Sequence, residues 1–214
     1  VATGDGRYLT LAELKGWGLD IDPSTNLPND SEMGKAIARA EAQWEQLCGC
    51  RFDQQTYILV APSIVFVDSN GWMRLTALEG GPVTAVTAVK TMNVFFGESV
   101  WTDITWDATN GILLPAATTP PRPNSWDVLI KPTPPLMCAS VGQLYAKWTY
   151  TAGYVTTPDA LKAHIARLAW WVWKLTREAP LGIVKNPLLG LVDIPLSIPP
   201  DIKADSIFWS RGGS

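Results

Sequence analysis

Two apolar stripes of identical rhythm lie far apart in the chain, and their separation constrains the fold more than any other feature. Met33, Ile37, Ala40, Trp44 and Leu47 recur at intervals of four, three, four and three, and Leu161, Ile165, Leu168, Val172 and Leu175 repeat them. That spacing keeps one side of a helix apolar, while Lys35, Arg39, Glu41 and Glu45 fall off the first stripe. A one-sided helix must cover its stripe with another layer. The expectation is a small helical bundle assembled from both ends of the chain, with whatever lies between them inserted as a separate body.

The punctuation agrees. Thr10 with Glu13 three residues later is a capping box ahead of Leu11 and Leu14, and Gly16 and Gly18 end that first helix early. Asn29 with Glu32 repeats the cap pattern before the longer second helix, which Gly49 closes. Pro158 opens the third helix, which ends before Pro180.

From about 52 to 154 the residues are β-branched and aromatic with turn signals between them, a set of short strands. Asn70-Gly71 and Asn110-Gly111 each lie between apolar runs and predict hairpins. Val83, Val86 and Val89 repeat every third residue, which fits neither strand alternation nor a helical stripe; their β-branched neighbours predict a bulged strand. Proline clusters on both sides of 126–130 predict long connections or an edge strand. After 180, Pro187, Pro195, Pro199 and Pro200 rule out a long helix and predict an extended arm.

Composition narrows function. A net charge of −3 and a pI near 5.2 give no positive field for gripping phosphates, so nucleic acid is not the expected main ligand, although a mildly acidic wall would let DNA slide past without specific binding. The densest apolar run, 168–173, lies between Arg167 and Lys174 and is far shorter than the ~20 residues a membrane span needs. Residues 1–8 do not read as a secretion signal, and Cys48, Cys50 and Cys138 define no disulfide framework, so synthesis in a reducing cytoplasm is expected.

Catalytic chemistry is hard to build. His164 is the one histidine, and no phosphate loop, HExxH helix or GxSxG elbow occurs. Cys48-Gly49-Cys50 lacks further ligands at zinc spacing, and the 20–31 segment has Thr25 and Ser31 where a calcium loop needs glycine and glutamate. The expectation is no enzyme, no cofactor and no metal. Eleven tryptophans instead suggest cores and interfaces. Trp170, Trp171 and Trp173 cover more than half a helix circumference and cannot all enter one core, so Trp170 and Trp171 are candidate partner contacts. Leu188, Leu191, Ile194, Leu196 and Ile198 make the arm too apolar to remain disordered, and with Phe208 and Trp209 they are expected to lie on another chain.

The order of these pieces resembles the head-to-tail connector, or adaptor, proteins of tailed bacteriophages and related phage-like particles. The residues that carry the resemblance are 8–15 (YLTLAELK), 37–41 (IARAE) leading into Cys50-Arg51-Phe52, Pro82-Val83 with Val86 and Val89, 149–154 (TYTAGY), and Pro158 with 161–163 (LKA). The tryptophan-rich end of the third helix and the arm fall outside it. The resemblance implies a ring, usually of twelve subunits, docked below the portal at the head-tail junction of a virion. That ring would form part of the DNA channel and receive a stopper or tail protein. Another neck protein, a stopper or tail-completion subunit, and a carbohydrate-binding β-sandwich are the alternatives.

The resulting expectation is an α+β chain. Residues 1–51 supply two helices of a small bundle, 52–156 an inserted antiparallel β-sandwich or barrel, 157–179 the third helix, and 180–214 an extended C-terminal arm.

Overall fold

The computed structural model describes residues 5–16, 30–58, 63–93, 100–115, 126–136, 144–178, 183–186, 190–193 and 198–210. The chain forms two units, a helical one from Val1–Gly49 with Thr157–Gly213 and a β unit from Cys50–Thr156. Mixed α+β architecture, with antiparallel sheets between terminal helices, is as expected.

In the helical unit, α1 (Leu11–Gly16) starts on a reciprocal cap. The Glu13 amide donates to Thr10 Oγ1 at 3.2 Å, and the Thr10 amide donates to Glu13 Oε2 at 2.9 Å. α2 (Asp30–Cys48) buries Met33, Ile37, Ala40 and Trp44, and closes where Gly49 takes φ +67 and donates to the Glu45 carbonyl. The cap expected at Asn29 lies outside the described residues. α3 (Asp159–Glu178) buries Leu161, Ile165, Leu168 and Val172, and the two stripes pack together as their spacing requires. Lys162 of α3 reaches Glu13 of α1 at 2.5 Å, tying the third helix to the first.

The C-terminal region corrects the extended arm. β9 (Ile183–Asn186) and β10 (Gly190–Asp193) form an antiparallel pair, and Pro200–Trp209 is a helix, α4. Prolines at 199 and 200 break an interior turn but suit a helix start, where proline's missing N–H has no partner to lose. α4 packs on α2 and α3 through Ile202, Ser206 and Trp209.

Among the described residues the β unit holds two sheets. In the first, β1 (Gln55–Tyr57) and β2 (Ser63–Val65) both pair with β8 (Leu144–Ala152). β8 pairs on its other side with β4 (Val83–Asn93), and β4 with β5 (Thr102–Ile104). In the second, β7 (Asp127–Ile130) lies between β3 (Met73–Thr76) and β6 (Ile112–Leu113). β8 buries alternate residues, Leu144, Ala146, Trp148, Tyr150 and Ala152, and β3 and β7 bury Met73, Leu75, Val128 and Ile130. One buried face per sheet is the pattern of a sandwich.

β4 explains the valine triplet. Its eleven residues face nine of β8, because the register slips between Val83 and Ala85 and again between Val86 and Ala88. Thr84 and Thr87 are therefore bulge residues, and each hydroxyl donates to a β8 carbonyl, Thr151 at 3.2 Å and Thr149 at 3.4 Å. Two single-residue bulges turn the two-residue period of a strand into the observed period of three.

Both Asn-Gly turns form, but their arms part. Asp68 Oδ1 accepts the Asn70 and Trp72 amides at 2.8 Å and Gly71 takes φ +81, yet only Val67 and Met73 bridge before β2 joins the first sheet and β3 the second. Around Asn110-Gly111, β5 and β6 likewise divide between the sheets. The proposed edge strand at 126–130 is instead the central β7. Lys131 and Thr133 donate to Gly111 and Thr105 at 2.8 Å, and Pro132 falls between them, where the alternation points its position away from that neighbour.

Candidate functional site

Exposed apolar side chains occur on both units, and those of the helical unit depend on how its ends are fixed. Glu41, placed off the apolar stripe by spacing, is only 7% exposed. Its carboxylate accepts the amides of Arg7 (2.8 Å), Tyr8 (2.7 Å) and Leu9 (3.2 Å), while Glu45 takes the Arg7 guanidinium and the Tyr8 hydroxyl. A buried carboxylate is tolerated only when donors replace its water. Here the donors are the segment leading into α1, so Glu41 is an anchor for the N-terminal strand of chain and not a solvated face.

The lone histidine is equally structural. His164 stacks on Trp44 (centroids 5.2 Å, 7° between planes), meets the edge of Trp209 at 6.1 Å, and sets Nδ1 3.2 Å from Asp205. Burial holds its pKa below the ordinary histidine value, against the upward pull of the Asp205 carboxylate, so the neutral ring with its Nδ1 proton donated to Asp205 is favoured. Arg167 bonds both Asp201 and Asp205. These contacts fasten α4 to α3. Among the described residues no group of three or more His, Cys, Asp or Glu is placed to hold a metal ion, and no helix is long and apolar enough to cross a membrane.

Trp209, expected on a partner, is 1% exposed within its own unit. The expectation fails because α4 places residues 202, 206 and 209 on one face, which α2 and α3 cover. Its neighbour Phe208 is 66% exposed and Ile207 is 59% exposed. The indoles of α3 divide as their angles require: Trp173 is buried, while Trp170 and Trp171 are half-exposed. Trp170 stacks on Trp173 at 5.0 Å and carries Lys174 Nζ 5.5 Å above its ring. Ile198 is half-buried and Leu191 belongs to β10; Leu188, Ile194 and Leu196 lie outside the described residues.

Beside Trp173 a groove of about 340 Å³ opens between α2 and α3, lined by Glu32, Lys35, Ala36, Arg39, Val172, Trp173 and Thr176. Spacing alone did not reveal it, since a groove depends on what fails to cover a helix pair. In the β unit Ile64 and Phe66 project from β2 and the residue beyond it, both exposed. The signal for these was present: 64–67 is apolar at every position, so one face of that strand must lack an internal partner unless a second layer covers it.

No protein-family model matches the chain, and no curated protein matches it by sequence. Solved structures do. A chain from the neck of an empty GTA particle, computed with C6 symmetry, aligns over 100% of this chain and 95% of its own length, at 17% identity and a TM-score of 0.53. A chain from the neck of a native GTA particle, computed with C12 symmetry, aligns over 86% of this chain and 85% of its own at 16% identity and a TM-score of 0.44. A chain from the virion of a native gene transfer agent particle aligns over 87% and 80% at 14% identity and a TM-score of 0.43. The first likeness shows a common fold along the whole chain, in agreement with the resemblance drawn from the sequence motifs.

Proposed function

We propose that a chain sharing its whole fold with a subunit of a particle neck is itself a structural adaptor of a phage-like neck. It self-associates into a ring at the head-tail junction, docks to the portal on one side and to a stopper or tail protein on the other, and leaves a channel for DNA. The observation that carries this reading is the end-to-end fold match to a chain of a neck computed with C6 symmetry, which is compatible with six or twelve copies. Exposed apolar side chains on α4 and on β2, with Trp170 and Trp171, support protein contacts as the working surfaces. The sole histidine fastens two helices and is not free for catalysis, which favours a non-enzymatic role.

Mixing the purified chain with portal rings from the same particle and imaging the product by electron microscopy tests the reading. Stacked rings with a central opening are expected. A chain that neither sediments with portal nor forms closed oligomers would remove the adaptor assignment. Duplex DNA at physiological salt is expected to bind weakly, because a net charge of −3 offers few contacts that release counterions. Tight, salt-sensitive binding in a mobility-shift assay would argue against passive passage.

A further inference from the structure

α2 and α3 run antiparallel, since Trp44 near the end of α2 stacks on His164 near the start of α3, while Ala36 and Trp173 line the groove at the opposite end. α4 fills the inter-helix groove at the Trp44 end. There Trp209 meets His164, and Cys48 Sγ lies 3.7 Å from the Ser206 carbonyl. At the Ala36 end, no element among the described residues fills the groove. The two ends are separated along α2 by roughly 12–18 Å at 1.5 Å per residue.

α4 has a second apolar face. Ala204, Ile207 and Phe208, at positions i, i+3 and i+4, are exposed on the side opposite Ile202 and Trp209. A helix apolar on two sides belongs between two layers, and the described residues of this chain supply one. We infer that the open end of the α2-α3 groove receives the outer face of α4 from a second copy of the chain, with Phe208 entering beside Trp173. This rests on the ring reading above and names a contact that would build it.

Three observations select a second copy. Arg167, His164 and the buried Trp209 anchor α4 at the Trp44 end, so its outer face cannot reach the open groove of its own molecule. A projection and a recess at different places on one subunit join copies head to tail, the arrangement that closes into rings. Charge also matches. Of the three charged residues that line the groove, Lys35 and Arg39 outnumber Glu32 and form no ion pair with another described residue, and the last turn of α4 holds no basic residue to offset its partly negative carbonyl end. The groove therefore offers apolar walls to Phe208 and cations to the carbonyls beside it.

Thr176 lines the groove and, like Phe208, is exposed, so cysteines at both sites should leave the unit folded. In the full chain carrying Cys138→Ser, Thr176→Cys protein is mixed with Phe208→Cys protein and oxidised, and products are read on a non-reducing gel. A disulfide-linked dimer is expected in the mixture and in neither protein alone, and the double variant should give a ladder beyond dimer. Phe208→Asp should weaken self-association about tenfold or more, as expected for losing a buried aromatic anchor. If rings form but no mixed dimer appears and Phe208→Asp assembles normally, this contact is wrong while the ring reading stands. If the chain never self-associates, alone or on portal rings, both fall.

Discussion

Trp209 and Phe208 are chain neighbours with opposite surroundings, and replacing each by alanine separates a packed fourth helix from a free arm. Trp209 is 1% exposed and contacts His164, so its truncation removes the indole from a filled space. Tryptophan-to-alanine changes in cores cost about 3–5 kcal/mol through lost burial and the cavity left behind. Phe208 is 66% exposed, and its truncation should change subunit stability by no more than about 0.5 kcal/mol. Urea unfolding followed by far-UV circular dichroism reports the helices. With a slope of about 2 kcal/mol per molar, the Trp209→Ala midpoint should fall by roughly 1.5–2.5 M, while Phe208→Ala stays near the parent. The measurement belongs on dilute, monomeric protein, so that the proposed contact between copies does not contribute. Equal, small shifts for both variants would refute the packing of α4 described here and restore an arm without a fixed place on its own subunit.

Glu41→Ala strands three amides, so the segment before α1 should detach; faster hydrogen exchange at Tyr8 and Leu9 is expected, with a stability loss of about 2 kcal/mol or more. Protection unchanged at those amides would mean the carboxylate is dispensable. His164 has its folded pKa held below the unfolded value near 6.5, so the unfolded chain takes up the proton first. Its contribution to stability is complete above about pH 6.5 and is lost as pH falls below it; His164→Gln should flatten that part of the stability-pH curve, and identical curves would contradict the burial argument. Gly153 sits at φ +100 with the Asp53 carbonyl oxygen 2.2 Å from where a Cβ would be, so Gly153→Ala should cost about 2 kcal/mol or more in the β unit; a thermal melt indistinguishable from the parent would contradict this geometry.

The first three helices were legible because their starts, stops and buried sides are signalled locally in the sequence. Thr10 with Glu13, Gly49 and Pro158 act locally, and the stripes of α2 and α3 fit one another. The bulges in β4 were legible for the same reason, since a slip of register leaves its mark in the spacing of the valines. What stayed hidden depends on neighbours distant in sequence. Glu41 lies off the stripe by angle, and only the chain folded over it makes it buried. α4 lacks a one-sided pattern because Ile202 and Trp209 lie on one side of it and Ala204, Ile207 and Phe208 on the other, so its prolines outweighed its helical start. The Asn-Gly turns were placed correctly, but nothing near them records that the flanking strands go to different sheets. The groove beside Trp173 is a property of two helices and of what leaves them uncovered.

The helical unit is built from chain segments that the ribosome delivers at different times. About 110 residues separate the end of α2 from the start of α3, and Asp53 bridges Tyr154 where the intervening β unit begins and ends. At about 5–20 residues per second, α2 emerges on the order of ten seconds before the helix that covers Met33, Ile37 and Trp44. The β unit is contiguous and can close first, drawing its two ends together. Its completion then shortens the effective loop between α2 and α3 from the whole insertion to the span between its joined ends, which lowers the entropy cost of pairing them. Damage to strands distant from α2 in sequence, such as a change at Gly153 that parts β8 from the Asp53 segment, should therefore lengthen the time α2 spends uncovered and lower soluble yield by more than the loss of stability in the finished protein accounts for.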